Sequence, residues 1–245
     1  MYRFFVEPSQ VEEHTIRILG SDVNHIKNVL RMKTGEEILI SSGNDQEYAC
    51  YIEEMGAEAV LAHVMYVQEA GYELSSRIYL FQGLPKGDKM ELIIQKAVEL
   101  GVHQVIPVAT RRAVVKLEGK KEENKIRRWQ AIAESAAKQS KRMYVPEVKP
   151  VMRFCQAIEQ AKKLDVVLLP YELAKGMKET KELIAQIEPG QSIGIFIGPE
   201  GGFDEEEVRM AVEMGAKAIT LGKRILRTET AGLTVLSVLM FALEE

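Results

Sequence analysis

The glycine-rich stretch GPEGG at residues 198–202 has residue types well suited to ligand binding. The apolar run IGIFI (193–197) ends there, and the acidic segment DEEEV (204–208) follows. Glycine lets backbone approach a ligand closely, and Asp204 with Glu207 fits a helix-capping box. Because these carboxylates would repel a polyphosphate, the stretch favours an uncharged nucleoside or a cationic ligand. A plain strand-to-helix turn is the alternative.

The second candidate stretch is LGKRILRTETAGL at 221–233, which combines a basic turn with a helix start. Lys223, Arg224 and Arg227 place their charges within five residues, which suits an RNA phosphate; a solvated basic turn is the alternative. Thr228 or Thr230 can cap the helix that follows, and Glu229 can be a capping carboxylate favoured by the helix dipole.

Composition limits the possible functions. The chain has 245 residues, a hydrophobic fraction of 46% and a net charge of −4, so a nucleic acid must be held by a local basic face. Cys50 and Cys155 lack metal-site spacing, the histidines are scattered, and no Walker or GxGxxG phosphate motif is present. We therefore expect no metal, a reduced cytoplasmic protein, and no membrane association, because the apolar run 231–243 is shorter than a bilayer requires.

The chain has two regions with different residue patterns. Residues up to about 70 contain short strand-like segments rich in β-branched and aromatic residues, interrupted by one helix that Ser21 and Asp22 would cap. A linker is expected at 68–76. From Arg77 onward, near-continuous apolar strands alternate with amphipathic helices, which predicts an α/β domain with a parallel sheet. Both glycine-containing stretches would then lie at the carboxyl ends of strands, where such sheets bind ligands.

The pairing of IFIGPEGGF (195–203) with LGKRILRTETA (221–231) resembles the SPOUT methyltransferases. The whole chain is similar to the ribosomal RNA small-subunit methyltransferase E family, with further support from DKMELIIQKAVELGV (88–102), RRAVVKL (111–117) and HIKNVLRMKTGEEI (25–38).

The resemblance implies an N-terminal PUA-like β-barrel over residues 1–72 and a SPOUT methyltransferase domain with a C-terminal trefoil knot over 73–245. The implied cofactor is S-adenosylmethionine, whose cationic sulfonium and phosphate-free adenosine suit the acidic, glycine-rich loop. The implied reaction is methylation of N3 of one uridine in 16S ribosomal RNA, carried out by a homodimer on the RNA or the small ribosomal subunit without a metal.

The resemblance also implies site residues. Arg227 is the first catalytic candidate and Glu229 the second. The implied cofactor residues are Leu169, Pro170, Gly198, Pro199, Glu200, Gly201, Gly202, Leu221, Gly222, Ile225, Leu226, Arg227, Thr230 and Ala231. The expected RNA-binding residues are Arg3, His25, Lys27, Arg31, Lys86, Arg112, Lys138 and Arg142.

The sequence is also compatible with three other functions. The same fold can methylate another RNA site or a ribose oxygen. A non-catalytic RNA-binding factor could keep the knot as a scaffold. A nucleoside-triphosphate enzyme is the third, and the missing phosphate motif argues against it.

Overall fold

A computed structural model describes residues 1–43, 46–69, 71, 73–174 and 176–244. The chain divides into two compact units. Unit 1 comprises Met1–Glu73 and Ala137–Val145, and unit 2 comprises Leu74–Ala136 and Pro146–Glu245. Ala70 and Tyr72, within the expected linker and at the expected domain boundary, lie outside the described residues.

Unit 1 is built on a five-stranded sheet in the order β1-β3-β4-β5-β2. The β1–β3 pair is parallel and the other pairs are antiparallel. Register shifts in the long β4–β5 pair, at Ala49/Cys50 and Ile52/Glu54, bend the ladder and favour curling of the sheet around its own apolar core. The strands are β1 Tyr2–Phe5, β2 Thr15–Leu19, β3 Glu37–Ser41, β4 Gln46–Met55 and β5 Ala59–Glu69.

The helix expected after β2 is shorter than its apolar pattern suggests. An α-helix, α1, spans Ser21–Asn24, and His25–Val29 continues as a π turn. The wider turn changes which side chains face inward: Ile26 is buried, whereas Val29 is 60% exposed. The expectation that Ser21 and Asp22 cap the helix is wrong, since Gly20 holds the N-cap position and no side chain caps it.

Unit 2 contains a seven-stranded parallel sheet in the order β12-β10-β11-β6-β7-β8, with β9 also paired to β7. The alternating pattern of the sequence predicted this class of sheet. It did not predict β8 and β9, because two-residue strands carry no readable periodicity. The strands are β6 Arg77–Gly83, β7 Gln104–Ala109, β8 Glu147–Val148, β9 Met152–Arg153, β10 Val166–Pro170, β11 Ser192–Ile197 and β12 Lys217–Ile219.

Local signals place the ends of the helices in unit 2. Gly101 and Gly215 follow α2 and α6 with φ of 85° and 102°, a left-handed conformation that ends a helix. Asp204 and Glu207 form the expected capping box at the start of α6. The helices are α2 Lys89–Glu99, α3 Gly119–Gln139, α4 Phe154–Ala161, α5 Met177–Ala185, α6 Glu205–Glu213 and α7 Thr228–Leu243.

Two kinds of feature are absent from the described part of the chain. No helix there combines the length and the apolar character needed to cross a bilayer. Among those same residues, no three His, Cys, Asp or Glu side chains converge as metal ligands would.

The close approach of β6 to the turn after β11 generates the first prediction. A Cβ added at Gly83 would lie 2.7 Å from both Cδ and N of Pro199, so Gly83→Ala must displace backbone. We expect it to lower the free energy of unfolding by about 1–3 kcal/mol, measured by urea denaturation.

Gly232→Ala is the matched control. Gly232 lies inside α7, and its added Cβ would meet its neighbours at 3.5–3.9 Å, an ordinary contact distance. Alanine should therefore stabilise the helix by about 0.5–1 kcal/mol. Similar effects of the two substitutions would contradict the proposed backbone contact.

Candidate functional site

A cavity of about 390 Å³ opens at the carboxyl ends of β10, β11 and β12, beside the start of α7. This is the position where parallel α/β sheets bind ligands. Its volume is within the usual range of small-molecule sites, roughly 300–1,000 Å³. Its walls come from the turn after β10, from the GPEGG stretch with Phe203, from residues 220–228, and from Lys89 and Ala231.

Glycine allows the wall formed by the GPEGG stretch to fold back on itself. A Cβ on Gly198 would lie 3.0 Å from the backbone C and Cα of Gly202, so any side chain there would collide with main chain. Gly202 has φ of 66°, a conformation that glycine adopts without strain. This wall therefore presents bare backbone to a ligand.

The hydroxyl of Thr228 joins two walls of the cavity. It donates to the Gly198 carbonyl at 2.6 Å and accepts a hydrogen bond from Gln82 Nε2 at 2.9 Å. The fully buried Gln82 also donates to the Gly83 carbonyl. The expectation that Thr228 or Thr230 caps α7 is wrong: Arg227 is the N-cap residue and no side chain makes a capping hydrogen bond.

Glu200 does not project freely toward a ligand, because the β6–α2 segment holds its carboxylate. The backbone N–H of Lys86 donates to both oxygens, at 3.0 and 3.3 Å, and Lys89 Nζ lies 2.8 Å from Oε1. Burial raises the pKa of Glu200, but these hydrogen bonds outweigh it and the pKa lies below its ordinary value. The hydrogen bond to Glu200 correspondingly raises the pKa of Lys89.

The basic turn leaves three cations available at the cavity. Lys223, Arg224 and Arg227 line it, and within the described residues no carboxylate forms an ion pair with any of them. Glu229 faces Lys89 instead, with Oε2 3.7 Å from Nζ. That oxygen is buried and makes no hydrogen bond within the described structure. The site therefore offers unpaired positive charge to an anionic or electron-rich ligand.

A second segment supports the GPEGG stretch from outside the cavity. The buried carboxylate of Glu207 accepts from the backbone N–H of Arg111 at 2.9 Å and from that of Asp204 at 3.0 Å. Arg111 also pairs with Asp204, and Arg112 donates to the Gly201 carbonyl at 3.2 Å. Glu207, which completes the capping box of α6, thus also anchors the turn after β7.

Most of the expected cofactor residues line this one cavity. Three do not: Leu169 is buried within β10, while Gly201 and Thr230 are exposed beside the cavity. Several lining residues were not expected as cofactor contacts because their residue types are ordinary for strands and turns, even where they fall inside the quoted stretches, as Ile197, Phe203 and Thr228 do. They are Lys89, Tyr171, Glu172, Ile197, Phe203, Thr220 and Thr228, with Lys223 and Arg224 expected only as RNA contacts.

The expected RNA-binding residues of unit 1 fall into two groups. Arg3 and Arg142 are buried: Arg3 pairs with Glu47 and donates to the Lys141 and Arg142 carbonyls, while Arg142 pairs with Glu73 at 2.7 Å. Their burial argues against the RNA contacts that the sequence suggested. The others lie partly or fully at the surface: His25 and Arg31 are exposed, Lys27 donates to the Gly56 carbonyl, and Lys138 pairs with Asp22.

The expected RNA-binding residues of unit 2 are both exposed. Lys86 and Arg112 lie in the turns after β6 and β7, at the same edge of the sheet as the cavity. Lys86 contacts the GPEGG stretch through its backbone N–H, and within the described residues its ammonium forms no ion pair. Arg112 contacts the same stretch through its guanidinium, and its Nε lies 3.9 Å from Asp204.

Comparison with known proteins gives consistent matches. An RNA methyltransferase domain family matches residues 72–240, and an RNA methyltransferase PUA domain family matches 18–65. The ribosomal RNA small subunit methyltransferase E of Bacillus subtilis is 39% identical over 250 residues, which cover 100% of this chain and 98% of that protein. The expected PUA-like unit and α/β methyltransferase domain are thus confirmed.

Two solved structures are similar over nearly the whole chain. A methyltransferase from Legionella pneumophila, solved with its cofactor S-adenosylmethionine, is 31% identical with a TM-score of 0.85, covering 98% of this chain and 97% of that one. The ribosomal RNA small subunit methyltransferase E of Neisseria gonorrhoeae, bound to S-adenosylmethionine, is 30% identical with a TM-score of 0.82 and the same coverage.

The Thr228 hydrogen bonds generate the second prediction. Thr228→Val keeps the shape of the side chain but removes the donor to Gly198 and the acceptor for Gln82. We expect a loss of about 1–3 kcal/mol in the free energy of unfolding, measured by urea denaturation, because a buried polar group loses its partner. Thr228→Ser keeps the hydroxyl and should lose less; equal losses would show that the hydroxyl does not contribute.

Proposed function

The chain belongs to the ribosomal RNA small subunit methyltransferase E family, and from this membership we propose that it methylates N3 of one uridine in 16S ribosomal RNA, with S-adenosylmethionine as donor. The observation that carries the proposal is the bare-backbone cavity lined by Lys223, Arg224 and Arg227, for which no ion pair occurs among the described residues.

The residues around the cavity fit S-adenosylmethionine. Backbone carbonyls and N–H groups of the GPEGG stretch can read an adenine edge, and apolar side chains such as Ile197, Phe203 and Leu226 line the same space. No phosphate has to be accommodated next to the acidic start of α6. When bound, the donor supplies an electrophilic methyl group on a cationic sulfur. The main contacts with the donor would come from Gly198, Pro199, Gly202, Leu221 and Gly222.

Arg227 would stabilise the charge that develops on the target base. Uracil N3 carries a proton and becomes a good nucleophile only as that proton leaves, so negative charge develops on the neighbouring oxygens. A preorganised guanidinium without a carboxylate partner stabilises such charge strongly. Glu229, whose Oε2 is buried without a hydrogen bond, is the candidate acceptor of the proton. N3 lies on the Watson–Crick edge, so the uridine must be unpaired or flipped out.

The RNA would be held by basic and polar side chains that are exposed or half-exposed in each unit. Lys223 and Arg224 adjoin the cavity, and Lys86 and Arg112 lie at the same edge of the sheet. In unit 1, three of these side chains lie on or next to the helical segment 21–29: His25, Lys27 and Arg31. Lys138 is half-buried and pairs with Asp22. With a net charge of −4, the protein depends on these local groups to attract RNA.

We also propose that the protein is a cytoplasmic homodimer whose C-terminal segment forms a trefoil knot. Helix α7 supports the dimer, because it has two apolar faces. Val235, Leu236 and Leu239 are buried in unit 2, whereas Val238 is 41% and Phe241 is 86% exposed. A second copy of the helix would cover the exposed face.

Two measurements test the proposed function together. Calorimetry should show that the purified chain binds S-adenosylmethionine. Mass-spectrometric mapping of 16S ribosomal RNA should show one N3-methyluridine that is missing from cells lacking the protein and returns when the protein is restored. Methylation of another atom or another RNA would refute the assignment of the reaction.

Arg227 generates the third prediction. Arg227→Ala should lower the methyl-transfer rate on small ribosomal subunits from cells lacking the protein by about 10²–10³-fold, because an electrostatic stabiliser is lost. The dissociation constant for S-adenosylmethionine should change much less. Arg209→Ala removes an exposed arginine from α6 and is the control. A normal rate for Arg227→Ala would eliminate its proposed role.

A further inference from the structure

The ammonium of Lys89 lies between two carboxylates from different parts of the site. Its Nζ is 2.8 Å from Oε1 of Glu200, in the turn after β11, and 3.7 Å from Oε2 of Glu229, in the first turn of α7. Lys89 itself is the first residue of α2 and lines the cavity. Three segments at the carboxyl edge of the sheet thus meet at one positive charge.

Arg227 shares this neighbourhood without taking part in the ion pairs. Arg227 lines the same cavity as Lys89 and precedes Glu229 by two residues. The hydrogen bond to Glu200 raises the pKa of Lys89, the charge of Glu229 raises it further, and the charge of Arg227 lowers it. No ion pair or hydrogen bond of the Arg227 side chain occurs among the described residues. Lys89 therefore pairs with two carboxylates, whereas Arg227 pairs with none among the described residues.

We propose that Lys89 is a positioning residue that keeps Glu229 away from Arg227 and so reserves the Arg227 guanidinium for the substrate. This inference rests on the proposed methyl transfer and adds a residue to it. Lys89 acts through its two neighbours and need not touch the RNA base.

The physical reason is the strength of arginine–carboxylate pairing. A guanidinium binds a carboxylate through two parallel hydrogen bonds, which makes such a pair difficult to open once it forms. Glu229 has an unsatisfied buried oxygen and would gain from this partner. A paired Arg227 would have its charge compensated before the uracil oxygens arrive. The three N–H donors of lysine suit it to holding two acids at once.

The test separates this role from general support of the fold by comparing two backgrounds. Lys89→Met removes the charge and keeps most of the side-chain length. In the otherwise unchanged chain, the methyl-transfer rate should fall about 10²-fold, because Glu229 then captures Arg227. In the Glu229→Gln background, the same Lys89→Met substitution should change the rate by no more than about threefold, because the carboxylate that would capture Arg227 is gone.

A second readout needs no cofactor. Binding of a fluorescein-labelled single-stranded oligouridylate to the cofactor-free protein, followed by fluorescence anisotropy, reports whether Arg227 is available. Lys89→Met should weaken this binding by about tenfold when Glu229 is present and by about threefold or less after Glu229→Gln.

Control variants establish that a loss is specific. Lys89→Arg keeps the positive charge and should retain both the rate and the binding within about threefold. Lys96→Met removes another ion-paired lysine from α2, paired to Glu99, and should leave both readouts unchanged. Thermal unfolding of every variant identifies one that fails to fold, and Lys89→Gln replaces Lys89→Met in that case.

The outcomes are distinct. Losses that depend on Glu229 support the proposal. Equal losses in both backgrounds, or no loss in either, overturn it, because Lys89 would then act independently of Glu229. If the unmodified protein neither binds S-adenosylmethionine nor methylates RNA, the proposed function fails, while the oligouridylate comparison still decides whether Lys89 controls Arg227.

Discussion

The cavity depends on the close contact of main chain at the carboxyl ends of β6 and β11. Gly83 permits that contact because a Cβ there would lie 2.7 Å from the backbone N of Pro199. Gly198 lets the turn after β11 fold back on itself, because a Cβ there would lie 3.0 Å from the backbone of Gly202. The chain of hydrogen bonds from Gln82 through Thr228 to the Gly198 carbonyl then fixes the start of α7 against the same strands. Close packing and buried hydrogen bonds together make the ligand-facing wall rigid, since neither backbone can move without breaking a buried contact.

The charges around this wall are arranged so that one site can accept both a cationic donor and an anionic RNA. At the start of α6, Glu207 is occupied by the capping box and by the turn after β7, and Asp204 pairs with Arg111; neither lines the cavity. Glu200 and Glu229 share Lys89, and Lys223, Arg224 and Arg227 form no ion pair in the part of the chain that the structure describes. A cationic, phosphate-free donor and an anionic RNA can therefore approach from the same edge of the sheet without facing a dominant repulsive charge.

Unit 1 shows why a basic residue in a sequence is weak evidence for RNA binding. Arg3 and Arg142 each have a buried guanidinium paired with a buried or nearly buried carboxylate. Such pairs are costly to break, because removing one partner leaves an uncompensated charge in a low-dielectric environment. These arginines fix residues 137–145 within unit 1, and RNA recognition is left to the groups that remain exposed.

Features set by neighbouring residues could be read directly from the sequence. The alternation of apolar strands and amphipathic helices predicted the parallel sheet, the Asp204–Glu207 spacing predicted the capping box, and the glycine-rich stretch predicted one wall of the cavity. Only the tertiary structure decided the partners of Lys89, Thr228 and Arg3, because those contacts join residues 30 to 146 positions apart. Periodicity and capping are properties of a short segment. The partner of a charge or a hydroxyl depends on which distant segments the fold brings within about 3 Å of it.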